Sequence, residues 1–80
     1  MITIRWRLKE FLEQEGITQY KLIKLAQGRV SKNTIGSAVR NELNGVQFST
    51  LAALIEVLES SLGKDVRIAD LIELRRSDIE

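Results

Sequence analysis

From Leu8 to Leu74 the apolar residues recur at spacings of three and four, in short runs bounded by capping residues. Isolated helices shorter than about 12–15 residues are marginal in water. Each run must therefore lay its apolar stripe against the others, and a chain of 80 residues has room for one such core. No proline, repeat or linker interrupts the pattern, so residues 1–80 read as one domain.

The first run, about Arg5 to Glu15, places Leu8, Phe11 and Leu12 on one stripe, and Gly16 closes it as a C-terminal cap. Thr18 opens the second as N-cap, with Leu22, Leu25 and Ala26 inward. Ser31 opens the third, whose stripe of Ile35, Ala38 and Val39 continues towards Leu43 and stops at Asn44-Gly45. Val46 or Phe48 reaches back to the core from the loop. Ser49 or Thr50 caps the fourth helix, Leu51 to about Ser61, with Leu51, Leu54, Ile55, Leu58 and Leu62 on one face. A fifth helix is predicted over about Ile68 to Leu74, with Leu71 and Ile72 buried and Val66 or Ile68 stapling its start. The tail from Arg75 to Glu80 reads as frayed. "MITI" alternates at period two and suits an extended segment paired with that tail. The predicted fold class is a compact all-α domain of five helices.

Several functions are disfavoured by what the chain lacks. It has no cysteine and no histidine, which removes disulfides, thiol chemistry, cysteine/histidine zinc sites and the usual general base at neutral pH. Glu13 with Glu15 and Glu56 with Glu59 read as solvated helix faces rather than catalytic pairs. No nucleophile elbow or phosphate-loop spacing appears. The expectation is a protein that is not an enzyme, with no cofactor, metal or small-molecule ligand. No apolar run approaches the roughly 20 residues of a membrane span, and the N-terminus is too charged for a signal peptide, so a cytoplasmic protein is expected.

The charge is unevenly spread. Residues 1–40 carry eight bases and three acids, a net of +5, while residues 41–80 carry a net of −4, and no acid lies between Glu15 and Glu42. Such a domain presents a directional field whose basic half suits a polyanion. At 100° per residue, Ile35, Ala38, Val39 and Glu42 share one side of the third helix. Asn33, Ser37 and Arg40 fall opposite, flanked by Lys32, Thr34, Gly36 and Asn41. Asn pairs bidentately with adenine and Arg or Lys with guanine, while Ser and Thr suit several partners or a phosphate.

These residues bring a family into view. "RLKEFLEQEGITQYKLIKLA", "VSKNTIGSAV", "LNG", "STLAALIEVL" and "IADLIEL" together resemble the Cro/C1-type (XRE-like) helix-turn-helix domain of bacterial and phage regulators. The resemblance spans about Arg7 to Leu74 and implies a five-helix lambda-repressor-like fold, with a helix-turn-helix unit over about 18–43. It implies that helix 31–42 enters the major groove of double-stranded DNA, with Lys32, Asn33, Thr34, Ser37, Arg40 and Asn41 at the bases. Thr18, Gln19, Lys21, Lys24, Arg29 and Ser31 would then meet phosphates. It further implies a repressor acting as a homodimer on a palindromic operator, since one small module reads few base pairs.

Two departures from the family pattern stand out. The turn over 27–30 is about two residues longer, leaving Arg29 either a phosphate clamp or a solvated loop residue. Gly36 replaces a small polar residue, for close approach either to DNA or to a neighbouring helix; the outward flank favours DNA. Trp6 reads as core or dimer surface, and Tyr20 either as half-buried with its hydroxyl at the phosphates or as core, with core favoured. The competing function is a protein–protein interaction module, antitoxin-like or regulator-binding, that has the fold without DNA binding.

Overall fold

The computed structural model describes residues 1–77, and in it five helices are flanked by two strands. Strand β1 covers Ile2–Trp6, followed by helices α1 (Leu8–Glu15), α2 (Gln19–Ala26), α3 (Lys32–Val39), α4 (Phe48–Leu62) and α5 (Ile68–Leu71), and strand β2 (Ile72–Arg76) closes the order. Among the described residues, no helix is long and apolar enough to cross a membrane.

The all-α expectation is overturned by β1 and β2, which form a two-stranded antiparallel ribbon, so the fold is mixed α/β. Ile2 faces Arg76, Ile4 faces Leu74 and Trp6 faces Ile72 across the ladder. The fifth helix ends at Leu71 rather than Leu74, because from there the chain pairs with β1. The ladder begins where Arg7 N–H donates to the Leu71 carbonyl at 2.6 Å, and at its other end Ser77 N–H donates to Met1 O at 2.8 Å. Period-two alternation then governs both strands. Arg75 and Arg76, read as part of a frayed tail, are strand residues; the remainder of that tail, 78–80, lies outside the described residues. The first helix correspondingly starts at Leu8, not Arg5.

Both ends of the first loop were legible as caps. Gly16 adopts φ 72°, a left-handed conformation that glycine takes without strain. Its N–H reaches Glu13 O while Ile17 N–H reaches Leu12 O at 2.9 Å, the paired closing bonds of a Schellman motif. Thr18 then caps α2 by accepting from Lys21 N–H at 3.0 Å, and Ser31 caps α3 by accepting from Thr34 N–H at 3.0 Å.

One core joins every element. Trp6, Leu8, Phe11, Leu12, Leu22, Ala26, Ile35, Ala38, Leu51, Leu54, Leu58, Val66 and Leu71 are buried in it, with Ile17, Val30 and Val57. No polar side chain is fully enclosed among the described residues. Val66 staples the start of α5 while Ile68 is exposed, and Val46 packs on the core while Phe48 does not. Phe48 instead opens α4, which begins there with Gln47 as N-cap rather than at Leu51 under Ser49 or Thr50. Trp6 belongs to the core, its indole N–H donating to Leu43 O at 2.8 Å. Tyr20, read as core, is 70% exposed with Lys24 Nζ 5.3 Å above its ring.

Candidate nucleic-acid interface

Two helices of eight residues each, α2 and α3, meet through a turn from Gln27 to Ser31. Leu22 and Ala26 bury one face of α2, and Ile35 and Ala38 bury one face of α3. The extra length of the turn is absorbed by two consecutive left-handed residues, Gln27 at φ 50° and Gly28 at φ 83°. Val30 is buried beyond them and anchors the turn to the core. The longer connection therefore widens the turn without extending α2. Helix α3 ends at Val39, short of residue 42, and Asn41 at φ 58° reverses the chain.

Of the residues assigned to bases, Lys32 and Asn33 are exposed on the first turn of α3, with Thr34 and Ser37 half-buried beside them. Thr34 Oγ1 accepts from the Ser31 hydroxyl at 2.8 Å, so Ser31 and Thr34 form a closed local pair. Arg40 is exposed and bonds Glu42 through Nε at 3.0 Å. Asn41 is committed elsewhere, since its Oδ1 accepts from Trp6 N–H at 2.8 Å and so ties the end of α3 to the end of β1.

Gly36 is buried rather than outward. A methyl group built on it would lie 3.1 Å from Arg40 Nη1 and 3.4 Å from Gln19 Nε2. The Arg40 guanidinium thus folds back over Gly36, and with the Gln19 amide it takes up the space that a side chain would need. Of the two readings of Gly36, close approach within the protein describes its surroundings, and the approaching groups are polar.

Among the residues assigned to phosphates, Thr18, Lys21, Lys24 and Ser31 are exposed and Gln19 is half-buried. Arg29 is exposed but turned to α4, where it pairs with Glu56. In residues 1–40 the bases divide by type. Arg5 pairs with Glu10 and Glu73, Arg7 with Glu73, Arg29 with Glu56 and Arg40 with Glu42. Lys9, Lys21, Lys24 and Lys32 have no carboxylate partner among the described residues. The outward field of this half thus comes from lysines.

Lys9 is the residue that sequence reasoning missed. It lines a groove with Leu12, Glu13, Thr18, Gln19 and Val39, so that it shares that groove with the start of α2. Its only signal in the sequence is an outward position on α1. Nothing there places that outward face next to α2.

Much of the ribbon's charge is paired internally, with Arg5, Arg7 and Arg75 around Glu73. The Glu73 carboxyl is held below the usual range first by Arg75 and then by Arg5. The Glu10 carboxyl is lowered by its own backbone amide and by Arg5, whose guanidinium is in turn held more firmly protonated, chiefly by Glu10. A comparison with protein-family models, curated proteins and solved structures finds no match to this chain.

Proposed function

We propose that the chain is a sequence-specific double-stranded DNA-binding regulator of the Cro/C1-type helix-turn-helix class, in which α3 enters the major groove. The observation that carries this reading is the acid-free face of α2 and α3. There Lys21, Lys24 and Lys32 stand without carboxylate partners beside exposed Asn33 and half-buried Gln19 and Ser37. Lysine is a compact point charge suited to phosphate, and asparagine to an adenine edge. Lys9 joins the phosphate contacts, and Arg29 contributes to them only after releasing Glu56. Asn41 drops from the base contacts because its carbonyl holds β1. A repressor acting in the cytoplasm as a homodimer on a palindromic operator fits the small footprint of one module. The exposed Ile2, Ile4 and Leu74 favour a further, protein-binding surface, since apolar side chains on a ribbon offer nothing to phosphates.

Binding to DNA fragments from the protein's own locus across a salt series tests the reading. Phosphate contact makes log affinity fall with log salt, and Lys21→Ala or Lys32→Ala each reduces the slope by about 0.9. Arg75→Ala leaves the slope as it is. Asn33→Ala costs about 1–3 kcal/mol on the preferred site and little on unrelated DNA. A salt-independent affinity, or no binding at low salt, overturns the proposal.

A further inference from the structure

The two edges of the ribbon differ in a way that the intrachain fold does not use. In an antiparallel ladder, the residues of hydrogen-bonded pairs direct N–H and C=O at each other, and alternate residues direct them outward. The bonds at Arg7–Leu71 and Ser77–Met1 put the odd residues of β1 in the inward set. Ile2, Ile4 and Trp6 therefore direct N–H and C=O to the free edge. At Trp6 that edge is closed, because its N–H is taken by Asn41 Oδ1 at 2.8 Å. At Ile2 and Ile4 it is open among the described residues.

Natural edge strands are guarded by charged side chains, proline or bulges. β2 has such a guard in Arg75-Arg76, and its first outward N–H, at Ile72, is occupied by Ile68 O. β1 has none. Its free stretch is Ile2-Thr3-Ile4, three β-branched residues in a row, and its one charged residue, Arg5, is neutralised by Glu10 and Glu73. On one face of the same ribbon Ile2, Ile4 and Leu74 are 55%, 62% and 50% exposed. Two strands alone are at best marginally stable, whereas a larger sheet with an apolar face is self-sufficient.

We infer that β1 pairs antiparallel with β1 of a second copy of this chain, across a two-fold axis at Thr3, to give a four-stranded sheet. The register follows from the open groups. Ile2 bonds Ile4 of the partner subunit and Ile4 bonds Ile2 of the partner subunit, which uses every outward amide that Asn41 leaves free. Thr3 meets its own copy on the axis as a non-hydrogen-bonded pair, a favourable cross-strand match. The contact is isologous and closes as a dimer, with the guarded β2 strands outermost. Occupation of the edge by an unrelated extended peptide would lack this self-complementarity.

The pairing does not depend on nucleic acid and is tested without it. Sedimentation equilibrium of the full chain over a concentration series is expected to show twice the chain mass. Ile2→Pro keeps the intrachain ladder, because that N–H points outward, and removes one intersubunit donor from each copy. The dimer dissociation constant should rise about thirtyfold. Ile4→Lys should do the same or more, with helical circular dichroism unchanged. The chain has no native cysteine, so Thr3→Cys reports the axis directly. Non-hydrogen-bonded partners sit about 4.5 Å apart between Cα atoms, within disulfide reach. Mild oxidation should join Thr3→Cys into a covalent dimer and leave Arg75→Cys, across the ladder on β2, as single chains. A mass of one chain throughout the series overturns the inference. So does a dimer indifferent to Ile2→Pro, or an Arg75→Cys variant that cross-links as fast as Thr3→Cys.

Discussion

The α2–α3 pair and the β1–β2 ribbon carry similar numbers of cations and use them in opposite ways. In the ribbon Arg5, Arg7 and Arg75 converge on Glu73, with Glu10 as a second partner for Arg5. Most of that charge is spent internally, and beside Arg75 and Arg76 the exposed side chains of the ribbon include the apolar Ile2, Ile4 and Leu74. On α2 and α3 the lysines face outward with no acid between Glu15 and Glu42, and the aliphatic stripe of Leu22, Ala26, Ile35 and Ala38 is turned in. Net charge by segment does not separate these cases; pairing does. Arginine, with its planar fork, holds carboxylates in place, and lysine is left to act at a distance.

Two isoleucines break the comparison most sharply. Ile35 is fully enclosed at the centre of α3, while Ile4 is 62% exposed on the ribbon. Ile35→Ala removes core packing and should cost about 2–5 kcal/mol by denaturant melting, and on the proposed function it takes DNA binding with it. Ile4→Ala should lie within about 0.5 kcal/mol for the monomer, as surface changes do. If the two cost the same in dilute solution, the ribbon face is not exposed as described.

Asn41 is the joint between the two regions, and its two jobs are separable. It holds a left-handed backbone at φ 58° and accepts the Trp6 N–H. Asn41→Ala loses both and should cost about 2 kcal/mol or more. Asn41→Gly relieves the backbone and loses only the bond, costing about 1 kcal/mol. Equal losses in chemical denaturation would mean that the backbone conformation carries no strain.

How much of this was legible depends on range. The helix-forming stretches, the Gly16, Thr18 and Ser31 caps and most of the core follow from spacing, because caps and stripes are local. Leu71-Ile72-Glu73-Leu74 misled because a short apolar run fits a helix turn and a strand equally well. Only the pairing with Ile2–Trp6, across nearly the whole chain, decides between them. The same non-locality hid Lys9, which reaches the start of α2 through packing, and Asn41, whose partner is 35 residues away. Tyr20 failed for another reason. An aromatic ring suggests core, but here it lies under Lys24 on the outside of α2, where a cation over its face compensates part of its exposure.

The smallest effect concerns Gly36, which set aside about 1 kcal/mol of helix propensity for a guanidinium. Gly36→Ala places its methyl 3.1 Å from Arg40 Nη1, the movable end of a long side chain, and 3.4 Å from Gln19 Nε2. The gain in propensity and the displacement of Arg40 should therefore partly cancel, leaving a stabilisation well under 1 kcal/mol. In an Arg40→Ala background the nearest group is gone and the Gln19 amide at 3.4 Å is left, so the same change should recover more of that amount. The double-mutant cycle thus reads the Gly36–Arg40 coupling as a few tenths of a kcal/mol. A cycle that closes to zero would mean that Arg40 does not rest on Gly36 in solution. A glycine there would then be explained by Gln19 alone, or by a partner brought to that turn from outside.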